Sequence, residues 1–224
     1  MSNELIWIVF ALVNFSLLLL FYRLFGKMGL FVWIGMATVI ANIQVLKTVE
    51  LFGLTATLGN IIYGSAYLAT DIINEKYSKK DAKKAVWLGF STLLAMTVIM
   101  QLAMAFEPAE SDFAQGALET LFGLIPQIAL GSMIAYIVSQ YFDVWVYDKF
   151  RKIFPSTKYL WLRNNGSTMI SQLLDTAVFC SIAFYGQYPL DIWIEIFITT
   201  YVIKFIVALI DTPFMYIAKY MKGS

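Results

Sequence analysis

The sequence predicts an all-α integral membrane protein, and three observations predict it: composition, the length of the apolar runs, and the sidedness of the basic residues. The 224 residues are 60% hydrophobic and 14% charged. Soluble domains average about 45–50% apolar and about 25% charged. Mean hydropathy is +0.72. A globule of this length has too little interior for so many apolar side chains. The composition also excludes a disordered chain and a disulfide scaffold.

A helix needs about 20 apolar residues to cross a hydrocarbon core of about 30 Å. Seven segments qualify, roughly 5–24, 29–48, 54–73, 86–106, 119–142, 166–185 and 192–218, in a single transmembrane domain over 1–224. They are too long, and alternate too little, for barrel strands. The first has no basic stretch before it and no small-residue cleavage site after it, and so reads as an uncleaved span rather than a signal peptide. The third is the least apolar, with Thr55, Thr57, Gly59, Asn60, Gly64 and Ser65 inside it. It reads as either a full span or a partly re-entrant one.

With seven crossings and a cytoplasmic C-terminus, 14 of the 16 basic residues fall on the cytoplasmic side. These are Arg23 and Lys27, then Lys76, Lys79, Lys80, Lys83 and Lys84, then Lys149, Arg151, Lys152, Lys158 and Arg163, then Lys219 and Lys222. Only Lys47 is left outside, and Lys204 lies within a span. Loop 107–118 carries Glu107, Glu110 and Asp112 with no basic residue. The positive-inside rule therefore expects the N-terminus outside and the C-terminus in the cytoplasm. The 143–165 connection mixes Trp145, Tyr147, Phe150, Phe154, Tyr159 and Trp161 with basic residues and reads as an interfacial segment.

Ionisable groups within spans cost about 2.5–3.5 kcal/mol on insertion scales and call for a reason. In segment three, Thr57, Asn60, Gly64, Tyr67, Asp71 and Asn74 follow helical spacing along one face, with Glu75 one turn after Asp71. Helix packing at Gly64 and a wet helix end at Asp71 and Glu75 would be the structural explanation. In segment six, Thr168, Ser171, Gln172 and Asp175 share about 100° of arc. Asp175 lies mid-span, where it cannot snorkel. Segment seven carries Lys204 and, two turns on, Asp211, followed by Pro213. A mid-depth cation needs an anion; Asp175 is the first candidate and Asp211 the second. A purely structural ion pair is the alternative to a ligand site. Asn42, with Thr38, is either a pocket residue or an interhelical hydrogen bond, and Asn14 is packing glue.

No catalytic constellation is visible. There is no histidine, and the one cysteine, Cys180, lies in an apolar run, so no disulfide or Cys metal site forms within the chain. Walker A, GxGxxG and HExxH motifs are absent. A net charge of +1 gives no field for nucleic acid. No enzyme, cofactor or metal is expected. Carboxylates, carboxamides and aromatics in one cavity suit a small flat polar solute. A carboxylate accepts two parallel N–H bonds, as guanine offers through N1–H and N2–H2, and aromatic rings stack on the heterocycle.

The stretches ATDIINEKYSKKDAKKAVWLGF (69–90) and LRNNGSTMISQLLDT (162–176), with K…LIDTPF (204–214), resemble the queuosine precursor transporter family. That bacterial family of six-helix proteins has also been called vitamin-uptake transporters. It is similar in architecture to the substrate-binding components of energy-coupling-factor transporters. The resemblance covers about 190 residues, and helix 1 looks like an N-terminal transmembrane addition to a six-helix core. It implies import of 7-deazaguanines, such as 7-cyano- or 7-aminomethyl-7-deazaguanine, across the cytoplasmic membrane. Its motifs fall on Asp71, Asn74 and Glu75, on Gln172, Asp175 and Thr176, and on Lys204 and Asp211. The expected substrate-binding set is Asn42, Asn60, Tyr67, Asp71, Glu75, Gln172, Asp175, Lys204 and Asp211. The alternative is a substrate-capture subunit of an ATP-driven vitamin or nucleobase transporter. A homodimer or an ATPase partner and the energy source stay open.

Overall fold

The computed structural model describes residues 2–154 and 160–221, and Lys158 and Lys222 fall outside them. The described chain is α-helical apart from one short β-hairpin. Two compact units are present, Met1–Pro126 with Ile206–Ser224, and Gln127–Phe205.

In the first unit, α1 (Asn3–Gln44) opens with Ser2 as N-cap, its hydroxyl accepting from the Leu5 amide at 3.4 Å. Helical geometry breaks inside it at Gly26 (φ 52°, ψ −135°), a conformation that only glycine adopts without strain. The chain doubles back there. The Phe21 and Trp33 rings meet at 5.4 Å, and a Cβ on Gly29 would lie 2.2 Å from the Phe21 carbonyl oxygen. The two limbs, 3–25 and 27–44, correspond to the expected spans 5–24 and 29–48, but the second ends at Gln44 rather than at 48.

The next difference is larger. The expected helix 54–73 begins as a strand. β1 (Thr48–Leu51) pairs antiparallel with β2 (Leu54–Thr57). Phe52 (φ 53°) and Gly53 (φ 76°) form a two-residue turn with both φ values positive, as a type I′ hairpin requires. Thr48, Val49, Thr55 and Thr57 are β-branched and suit strands. Thr57 is therefore not on the helical polar face. Gly59 (φ 101°) turns the chain, and α2 runs Asn60–Lys76, 17 residues. That is about 25 Å of helix, short of a hydrocarbon core. Its apolar face packs on α1, where the Trp33 indole donates to Ser65 Oγ at 3.0 Å and Asn14 Nδ2 to the Ile61 carbonyl at 3.4 Å.

α3 (Lys79–Met104) starts seven residues before the expected span, because Ser78 caps it by accepting from the Asp81 amide. It packs on the second limb of α1, with Gly89 against Thr38. The expected span 119–142 is divided between α4 (Gln115–Phe122) and α5 (Ile125–Ile153), with a break at residues 123–124.

The second unit holds most of α5, α6 (Leu160–Ala183) and the first half of α7 (Leu190–Tyr220). Gly131 packs against the Ala183 backbone, Gln127 Nε2 donates to the Ile182 carbonyl at 2.8 Å, and the Trp193 indole to the Cys180 carbonyl at 3.0 Å. α5 extends to Ile153, so Trp145 and Phe150 stand on a helix and not in a long connection. Tyr159 lies outside the described residues, as do the side chains of Arg163 and Thr168.

Among the described residues, four helical stretches are long and apolar enough to cross a membrane: Asn3–Gln44, Lys80–Met104, Gln115–Ser139 and Leu190–Tyr220. Met169–Ala183 is a shorter apolar one. Leu5, Leu12, Val13 and Leu20 are exposed on α1, which lipid tolerates and water does not. The chain is a multi-pass membrane protein.

Candidate functional site

Each unit carries a charged polar group, and the two differ in how their charge is met. In the first unit, α2 presents Asn60, Gly64, Tyr67, Asp71 and Asn74 at helical spacing. Gly64 allows a close approach to α7, since a Cβ there would lie 2.3 Å from Val207 Cγ1. Tyr67 is half-buried; its hydroxyl meets that of Tyr63 at 3.3 Å and the two rings pack edge-on at 5.0 Å. Asp71 is exposed and Asp211 half-buried. Among the described residues neither accepts a hydrogen bond or forms a salt bridge. Glu75 is different: it pairs with Lys219 at 3.3 Å, with both side chains about half exposed.

Asn60 opens α2, and its amide reaches the Thr57 carbonyl only at 3.5 Å. Asn42 is buried and donates to the Thr38 carbonyl of its own helix at 2.8 Å. Two buried atoms near this junction in sequence, Gln44 Oε1 and Thr57 Oγ1, have no hydrogen-bond partner among the described residues.

In the second unit, Lys204 Nζ stands 2.5 Å from Asp175 Oδ2. Asp175 is only 2% exposed. Its other oxygen faces Ser139 Oγ at 3.2 Å, and the single Ser139 proton is shared between that oxygen and the Tyr136 carbonyl at 3.1 Å. The first-choice partner for Lys204 is thus the one the fold supplies. Gln172 is half-buried; its backbone carbonyl accepts from Thr176 at 2.8 Å, and its carboxamide makes no hydrogen bond among the described residues. Ser139 was not foreseen. A lone serine in an apolar helix has a cheap local partner in its own backbone, so burial cost does not single it out. Among the described residues no group of three or more His, Cys, Asp or Glu could hold a metal ion.

A family model described as "Putative vitamin uptake transporter" matches residues 57–218, from the end of β2 through most of α7. A Bacillus subtilis (strain 168) protein named "Probable queuosine precursor transporter" is 61% identical over 221 residues, 99% of this chain and 96% of its own. The chain belongs to the queuosine precursor transporter family. It is a transporter and not an enzyme. More distant relatives are an Escherichia coli (strain K12) protein named "Queuosine precursor transporter", 24% identical over 76% of this chain and 75% of its own, and a Haemophilus influenzae protein named "Probable queuosine precursor transporter", 27% identical over 71% and 66%. No solved structure matches.

Proposed function

We propose that this protein imports a queuosine precursor, a 7-deazaguanine such as 7-cyano- or 7-aminomethyl-7-deazaguanine, across the cytoplasmic membrane. The observation that carries this is Asp71, an exposed carboxylate on a helix of an apolar chain that no donor among the described residues serves. Such a group favours a ligand bringing several N–H donors at once. The N1–H and N2–H2 edge of a guanine brings two in parallel. Tyr67, one turn away on α2, offers a ring face for stacking, and Asn60 and Asn42 can bond to carbonyl and ring nitrogen. Asp175 and Lys204 satisfy each other and would meet cargo only by parting.

N-terminus outside and C-terminus in the cytoplasm is the orientation we propose. Three basic stretches of the first unit lie at one end of it, which supports that choice. Lys27 meets Asp81 at 2.7 Å, Lys76 meets the Ala218 carbonyl at 2.7 Å, and Glu75 meets Lys219.

The test is a strain that cannot make queuosine, fed each precursor with and without this protein. Queuosine in tRNA is expected only with the protein; equal levels would overturn the proposal. Uptake by liposomes holding this protein alone, without ATP, is expected. Binding without uptake there would favour the capture subunit of an ATP-driven system.

A further inference from the structure

Helices α2 and α7 touch at two levels within the first unit. At one, Gly64 lies against Val207. At the other, the last turn of α2 grips the end of α7. Lys76 Nζ donates to the Ala218 carbonyl at 2.7 Å, to the Lys219 carbonyl at 3.2 Å and to the Met221 carbonyl. The ammonium also sits over the Tyr22 ring at 5.1 Å, and Glu75 pairs with Lys219. In sequence, Asp71 on α2 and Asp211 on α7 fall between the two levels. The carbonyls at a helix C-terminus carry the negative end of its dipole, so one ammonium reaching three of them pins the helix end, even though the Ala218 carbonyl also accepts from the Met221 amide at 3.2 Å.

Pro213 lies inside α7, two residues after Asp211. It has no N–H to give to the Leu209 carbonyl, and its ring crowds that carbonyl, so α7 bends easily there. Beyond it, the arm 214–221 leans on α1 through Phe214, whose ring lies 5.1 Å from Phe15, and Ala218 within it is fully buried.

We infer that residues 214–221 are a gate, hinged at Pro213 and latched at its tip by Lys76, that closes the end of the transport path next to Asp71 and Asp211. The gate rests on the transport reading but not on any particular cargo. A lysine is suited to the task. Its bonds to carbonyls can be exchanged for water at a helix end, and the half-exposed Glu75–Lys219 pair beside it is likewise open to solvation when the arm lifts.

The test uses the full-length protein in membranes. In K76M, hydrogen exchange of the 214–221 amides should speed up at least about fivefold. In a C180A background, I73C places a thiol one turn before Lys76, at a residue that is fully buried. It should become reactive to a membrane-impermeant thiol reagent only when K76M is also present. Uptake should change at least about threefold while substrate affinity stays within about twofold. K76R should keep the latch. Unchanged exchange would overturn the latch. Faster exchange with I73C still unreactive, or with uptake unchanged, would make Lys76 a helix cap and overturn the gate. Should K76M not fold, P213A restores the missing N–H and leaves the latch alone; it should slow uptake, and wild-type uptake in P213A would equally overturn the gate. Exchange and labelling need no cargo, so failure to carry a 7-deazaguanine would defeat the cargo assignment and leave this test standing.

Discussion

Asp175 and Asp71 are both aspartates on helices of an apolar chain, and the fold treats them in opposite ways. Asp175 is sealed, with Lys204 on one oxygen and Ser139 on the other. Asp71 is exposed and lacks any protein donor among the described residues. A sealed charge pair is a fixed part of the architecture, because removing one partner strands the other. Mid-span depth singled out Asp175 in the sequence as the ionisable group most in need of a partner, and the fold supplies one in Lys204; the proposed function therefore rests on Asp71.

The largest test of this contrast is K204M. It leaves Asp175 buried without a counter-ion and should cost about 3–5 kcal/mol of stability, with most of it recovered in K204M/D175L. Tryptophan fluorescence during unfolding in detergent would show it, and a K204M protein as stable as the wild type would break the contrast. D71N comes next. It should weaken binding of a 7-deazaguanine by about 1.5–3 kcal/mol, or roughly 10–200-fold, while stability holds. Calorimetric titration beside an unfolding curve separates the two, and unchanged affinity would remove Asp71 from the site. G64A should cost about 1–3 kcal/mol by forcing α2 away from Val207, and G64A/V207A should regain much of it. The smallest effect belongs to E75Q. Its ion pair with Lys219 is about half exposed, so an unfolding midpoint should register less than about 1 kcal/mol. A larger loss would mean that this surface pair acts as part of a network.

Much of this was legible in the residues. Burial cost alone picked out Asp175 and Lys204 and paired them. The reversal at Gly26 was readable from a glycine flanked by Arg23 and Lys27 between two apolar runs. The hairpin was not, because a window of about 20 residues averages its apolar strand residues into a helix-like signal. The short-range cues were there: β-branched Thr48, Val49, Thr55 and Thr57 around Phe52–Gly53. The early start of α3 was missed in the same way, since Lys79, Lys80, Lys83 and Lys84 lower hydropathy without opposing a helix, and Ser78 with Asp81 was the capping signal. The absence of a partner at Asp71 could not be read at all. It depends on which side chains neighbouring helices bring near, and no spacing within one segment reveals that.

The family match begins at residue 57, yet the first limb of α1 props up parts of the matched region. Phe15 backs Phe214, Tyr22 lies under the Lys76 ammonium, and Asn14 bonds to the start of α2. A shortened chain beginning at the match would lose all three contacts, and the alignment with the Bacillus subtilis relative, over 99% of this chain, takes in the leading helix as well.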